Sequence, residues 1–180
     1  HFAARIETRR QVSYDPATAR VSAERQTRLG AITLKSGPDD APDAHAIAQA
    51  LPDDGILVRD ITVSGSLWGS RLFRAHGPLM NIHSLAGAIG MGLPMAVGTA
   101  IANPQRKVVG LVGDGGLSLN LGELATLAQE KANVTLLIMN DGGYGVMRGI
   151  QDKYFGGRQY YNELHTPDFS LLAQAMGLQA

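Results

Sequence analysis

The chain has 180 residues, of which 44% are hydrophobic and 18% charged, and its 16 basic and 16 acidic side chains give a formal net charge of zero. That balance offers no field to attract nucleic acid or an anionic membrane surface, so neither is expected as a partner. The absence of cysteine excludes disulfides and thiolate metal sites and fits a reducing, cytoplasmic setting.

Residues 1 to about 36 are polar and mixed in pattern, with a short helix read over Arg20–Arg28. Ser36-Gly37-Pro38-Asp39-Asp40-Ala41-Pro42-Asp43 has the composition of a linker. The expected division is therefore 1–37, the end of a preceding domain with its linker, and 38–180, the main domain. Asp43 is the expected N-cap of a helix over Ala44–Leu51. Pro52–Gly55 then turns the chain into a strand, Ile56–Ile61, followed by a small, hydroxyl-rich loop over Thr62–Ser66 and a helix over Trp68–Phe73. The uncharged stretch Leu85–Ala102 is 18 residues long, near the length that crosses a bilayer. Its four glycines and Pro94 instead point to a glycine loop, Gly87–Pro94, that opens a short buried helix ending near Ala102.

Val108–Val112 and Val134–Met139 are short aliphatic runs of the kind that form buried parallel strands. Between them Leu117, Leu121, Leu124, Ala125 and Ala128 recur at helical spacing, giving a helix over Leu117–Lys131. A last helical pattern runs from Pro167 to Met176 and stops at Gly177. The expected fold is α/β, a parallel sheet with helices on both faces. With no initial methionine, and with a helix closing the chain where another strand is due, the sequence reads as truncated at both ends.

A strand–helix–strand crossover brings the loops after both strands to one edge of the sheet. Those loops are Gly113-Asp114-Gly115 and Asn140-Asp141-Gly142-Gly143-Tyr144-Gly145. Backbone N–H groups of Gly115, Gly116 and the first helical turn suit phosphate oxygens, whereas a carboxylate beside phosphate makes sense only with a bridging cation. Asp114, Asp141 and the carbonyl of Gly143 supply hard oxygen ligands of the kind Mg²⁺ takes. Either motif alone reads as a tight turn; at this spacing on successive strands, the pair reads as a phosphate-and-metal site. Gly87–Gly92 bears only a superficial likeness to a nicotinamide fingerprint, since no strand precedes it and its glycine order differs. His83 and His165 fit surface or satisfied-core roles, and Tyr154, Phe155, Tyr160 and Tyr161 fit packing or a flap hinged at Gly156-Gly157.

A Gly-Asp-Gly motif followed after about 25 residues by Asn-Asp resembles the signature of thiamine diphosphate-dependent enzymes, in particular the acetolactate synthase and 2-oxo acid decarboxylase group. Gly87–Pro94, Leu119-Asn120, Glu123–Thr126 and Tyr144-Gly145-Val146 carry the resemblance over roughly residues 40–180. It implies that thiamine diphosphate and Mg²⁺ are the cofactors, with Asp114, Asp141 and Gly143 as metal ligands. Ser64, Gly65, Gly115, Gly116, Gly145 and Val146 then fall where the family touches the diphosphate. Ile89 matches the apolar residue that props the bent cofactor, and Gly87 the carbonyl that accepts from its aminopyrimidine.

The implied reaction is decarboxylation of a 2-oxo acid with carboligation. The alternatives are a simple benzoylformate or pyruvate decarboxylase-like enzyme, or a non-catalytic cofactor-binding subunit. The glutamate that activates the pyrimidine belongs to a pyrimidine-binding domain of a second subunit, so no catalytic residue is assigned in this chain, and a homodimer or homotetramer is expected. This sequence departs from the family in carrying Asp141 for the usual asparagine, and from biosynthetic acetolactate synthases in carrying Ile150 for a tryptophan and Ser64-Gly65-Ser66 for glutamine-histidine-glutamine.

Overall fold

A computed structural model describes residues 33, 34, 47, 49–71 and 73–180. The helix read over Arg20–Arg28, the linker and the Asp43 cap lie outside them. The chain adopts the expected α/β architecture. Five strands, β1 (Thr33–Leu34), β2 (Ile56–Arg59), β3 (Asn81–His83), β4 (Val108–Gly113) and β5 (Val134–Met139), form one sheet in the order β1-β5-β4-β2-β3. Every pairing is parallel, with β4 and β5 in register from Val108 opposite Val134 to Gly113 opposite Met139. Among the described residues the bounded α-helices are α1 (Gly92–Ala102), α2 (Asp114–Leu119), α3 (Glu123–Gln129), α4 (Gly145–Tyr154) and α5 (Phe169–Ala175).

Alternate residues of the central strands face opposite sides of the sheet. Ile56, Val58, Val108, Val112, Val134, Leu136 and Ile138 pack against α1, α3 and α5 through Leu93, Ala96, Leu124, Leu127 and Phe169. Leu57, Val109, Leu111, Leu137 and Met139 pack on the other face against Ile47 and Trp68. Burial on both sides explains why β4 and β5 read as unbroken aliphatic runs rather than alternating ones.

Several elements differ from the sequence reading. The expected helix over Leu117–Lys131 is broken into α2 and α3 at Asn120–Gly122, because the Asn120 side-chain amide turns away to donate to the Gly90 carbonyl at 2.7 Å. β2 ends at Arg59 instead of Ile61. The chain then winds as a π-helix over Gly65–Gly69 instead of an α-helix over Trp68–Phe73. β3 and α4 were not anticipated: β3 is three residues of mixed polarity, and no residue of α4 is buried. β1 comes from the segment before residue 37 and pairs with β5. Asp168 caps α5, its Oδ1 accepting from Ser170 N–H at 2.9 Å and Leu171 N–H at 3.1 Å. Among the described residues, no helix is long and apolar enough to cross a membrane.

Candidate functional site at the carboxyl edge of the sheet

The loops that follow β2, β4 and β5 meet at one edge of the sheet around a cleft of about 300 Å³. Ile61, Thr62 and Val63 line it from the first loop, Gly113 to Gly116 from the second, and Asp141 and Gly143 to Met147 from the third. Gly87 and Ile89 complete it from the glycine loop before α1.

Asp114 is the electrostatic centre of the cleft. It is 1% exposed, and neither carboxylate oxygen has a hydrogen-bond partner. Its pKa is raised, first by burial and then by the neighbouring charge of Asp141. Backbone N–H groups of Gly115, Asp141 and Gly143 lean towards it and oppose the rise, although none reaches hydrogen-bond geometry. Two orphaned buried oxygens are costly as they stand. They fit a bound cation, which would satisfy both at once.

Further oxygens lie close by. The Gly143 carbonyl sits 3.2 Å from the position that a Cβ on Gly115 would take, so it faces the Asp114 turn. Its loop is held by backbone bonds from Tyr144 N–H to Asn162 O at 2.8 Å and from Leu164 N–H to Gly142 O at 2.9 Å. A side chain on Gly143 would run into the Asn162 carbonyl, and one on Gly145 would run into the Asp141 carboxylate. Arg148, one turn into α4, reaches Asp141 Oδ1 at 3.1 Å and donates to the Asp141 carbonyl at 2.9 Å. Among the described residues, no three His, Cys, Asp or Glu side chains converge. A cation here would thus draw its remaining ligands from backbone, water or phosphate, as Mg²⁺ commonly does.

The glycine loop is clamped from two sides. Asp60, 1% exposed at the end of β2, accepts at Oδ2 from Gly90 N–H at 2.9 Å and Gly92 N–H at 3.1 Å, and at Oδ1 from Ile61 N–H at 2.7 Å. Asn120 holds the Gly90 carbonyl from the opposite side. Between these ties and β3 the chain doubles back tightly, with Ala86 at φ 58° and Gly87 at φ 72°. The result places Ile89, 39% exposed, on the cleft wall.

Of the residues singled out from sequence, Gly87, Ile89, Asp114, Gly115, Gly116, Asp141, Gly143, Gly145 and Val146 all line this cleft. Ser64 and Gly65 do not. The helical turn starts at Val63, and Thr62 Oγ1 accepts from Gly65 N–H at 2.7 Å. That winding turns Gly65 back onto the Asp60 carbonyl and leaves Thr62 and Val63 facing the cleft. Sequence reasoning missed Thr62, Asp60, Asn120 and Arg148. An aspartate closing an apolar strand was a usable signal for Asp60, whereas nothing local marks the partners of Asn120 and Arg148. His83 is exposed and bonds only locally, Nδ1 lying 2.9 Å from Ser84 O, and His165 is exposed too. Neither lines the cleft.

Known proteins resemble this chain over the segment that carries the cleft. The family model described as "Thiamine pyrophosphate enzyme, C-terminal TPP binding domain" matches residues 62–180. A second model, the connector region of the ATP-dependent RNA helicase HrpB, matches residues 5–39, a short stretch almost wholly outside the described residues. The large subunit of acetolactate synthase isozyme 1 from Escherichia coli is 31% identical over 112 residues, covering 62% of this chain and 20% of that protein. A probable acetolactate synthase large subunit from Methanocaldococcus jannaschii is 33% identical over 129 residues, 69% of this chain and 21% of its own length. The chain therefore spans about a fifth of the length of these relatives. Among solved structures, the thiamine diphosphate-dependent 4-hydroxybenzoylformate decarboxylase of Rhodococcus jostii RHA1 superposes with a TM-score of 0.71 at 31% identity. That match covers 83% of this chain and 28% of the decarboxylase.

Proposed function

Because the chain belongs to the thiamine pyrophosphate enzymes, through their C-terminal TPP binding domain, we propose that it holds the diphosphate and Mg²⁺ of an acetolactate synthase-like enzyme that decarboxylates a 2-oxo acid and joins the remaining fragment to a second carbonyl compound. The observation that carries this reading is the unpartnered, buried carboxylate of Asp114, facing Asp141 and the Gly143 carbonyl across one cleft.

In this reading Asp114 and Asp141 hold the cation by their side chains and Gly143 holds it by its carbonyl. Backbone N–H groups of Gly115, Gly116, Gly145 and Val146 face the diphosphate, and Thr62 and Val63 replace Ser64 and Gly65 on the adjoining wall. Thiamine diphosphate, when bound, supplies the nucleophilic carbon that amino-acid side chains lack. The chain's own work is placement: Ile89 presents an apolar buttress, and Asp60 and Asn120 fix its loop. The 2-oxo acid and the pyrimidine-binding domain of a second subunit complete the site in a homodimer or homotetramer. Exposed apolar side chains beside the cleft, Leu85 at 83% and Met91 at 40%, support such a neighbour. A cytoplasmic location fits the absence of cysteine.

A simple 2-oxo acid decarboxylase is the second reading. The match to the Rhodococcus decarboxylase and Ile150, one turn beyond the cleft-lining Met147 on α4, favour it. Proton NMR of the full-length protein with thiamine diphosphate, Mg²⁺, pyruvate and other 2-oxo acids separates the two. Acetolactate or another coupled product establishes carboligation, and a released aldehyde establishes decarboxylation alone. No cofactor-dependent loss of any 2-oxo acid would overturn both in favour of a non-catalytic subunit.

A further inference from the structure

The cleft sets two requirements against each other. Two carboxylates, Asp114 and Asp141, attract a dication, yet they repel the diphosphate that the same cleft is read to hold. Among the described residues, Asp141 is the one of the two with a countercharge. Arg148 is the cation that reaches it, and a single nitrogen, Nη2, makes both contacts, to Asp141 Oδ1 and to the Asp141 carbonyl. The other carboxylate oxygen, Oδ2, lies over the α-carbon of Gly145, in the space a Cβ would fill. Arg148 Nε is buried without a partner, so this placement is kept at the cost of one unsatisfied donor. Both side chains are half-buried, at 28% and 17% exposure, which screens the pair less than a surface one.

Resting on the functional reading above, we propose that Arg148 is a charge-matching residue: it offsets the negative charge of Asp141, so that one site accepts a dication and a diphosphate together. The three charges, two negative and one positive, leave the site with one net negative charge. Removing Arg148 leaves two. The dication is then held more tightly and the diphosphate less tightly, which is the opposite of what simple loss of structure would do to metal binding.

The test uses full-length protein in four forms: wild type, Arg148→Gln, Asp141→Asn and Asp141→Asn/Arg148→Gln. Mn²⁺ binding alone is followed by electron paramagnetic resonance, and thiamine diphosphate binding at saturating Mn²⁺ by calorimetry. Arg148→Gln is expected to bind Mn²⁺ alone several-fold more tightly and thiamine diphosphate about tenfold more weakly, the scale of one half-buried charge. Asp141→Asn is expected to shift both affinities in the opposite directions. The double variant restores the net charge and is expected to return both to within about twofold of wild type. Arg148→Gln matching wild type in both measurements would overturn the proposal, as would a double variant no better than Arg148→Gln. Should Arg148→Gln not fold, Asp141→Asn decides: tighter Mn²⁺ binding by that variant would overturn the proposal by itself. Wild type that binds neither Mn²⁺ nor thiamine diphosphate would overturn the functional reading and this proposal with it.

Discussion

Asp114 shows how one residue couples stability to ligand binding. Burial, then the charge of Asp141, raises its pKa above the ordinary carboxylate range. Without metal, the folded protein therefore keeps this proton to higher pH than the unfolded chain does. The associated stability is fully present below the ordinary carboxylate pKa and is lost as pH rises through the raised value. Once ionised, the buried group is a burden that a bound cation relieves. Asp114→Asn removes this pH dependence and is expected to be more stable than wild type in the metal-free state once pH exceeds the raised value, yet to lose Mg²⁺-dependent binding of thiamine diphosphate. Scanning calorimetry with and without both cofactors checks this: a ligand-induced rise in Tm that survives in Asp114→Asn would remove the carboxylate from its assigned place. Gly145 makes a second point at this scale. Its substitution by alanine brings a Cβ into the Asp141 carboxylate, so Gly145→Ala is expected to weaken Mn²⁺ binding about tenfold or more by displacing a ligand oxygen. Titration of the apo protein with Mn²⁺ measures it.

At the scale of elements, the glycine loop is tied down by residues distant in sequence. Asp60 accepts three backbone N–H groups and is 1% exposed, so Asp60→Ala leaves buried donors unsatisfied. A loss of about 2–3 kcal/mol in urea unfolding is expected. Asp60→Asn keeps an acceptor oxygen and is expected to lose less. Hydrogen exchange supplies the specific readout, with the Gly90 and Gly92 amides losing protection in Asp60→Ala before those of β4 and β5 do. Asn120 belongs to the same arrangement. Leucine and alanine spacing over Leu117–Lys131 fits one continuous helix, and the spacing itself is correct; what breaks the helix is the side-chain bond from Asn120 to Gly90, a tertiary contact that outcompetes local propensity. β3 escaped notice for a related reason, because three residues of mixed polarity at an edge carry no periodic signal.

The whole molecule rests on two apolar layers around a parallel sheet, and the site rests on where those layers stop. Phe169, fully buried beneath the sheet, anchors α5 to the core; Phe169→Ala is expected to cost about 3–5 kcal/mol, read by denaturant unfolding, without moving the cleft residues on the opposite elements. α4 buries none of its residues, and Met147, Ile150 and Tyr154 stand 44%, 36% and 66% exposed along it. Exposed apolar groups in such a row suit a neighbouring subunit, so sedimentation of the full-length protein is expected to show a dimer or tetramer. The sequence by itself determined the buried strands Val108–Val112 and Val134–Met139, the crossover between them, and hence the meeting of Asp114 with Asp141, because aliphatic runs and a right-handed crossover leave the two loops no other edge. Tertiary structure alone decided that Thr62 and Val63, not Ser64 and Gly65, face the cleft, since that depends on the residue at which a helical turn begins. It also decided that Arg148 answers Asp141 and that Asp60 reaches Gly90 across 30 residues. Periodicity reports which face of an element is buried; it says nothing of which side chain meets which across a fold, and that is set only when the layers pack.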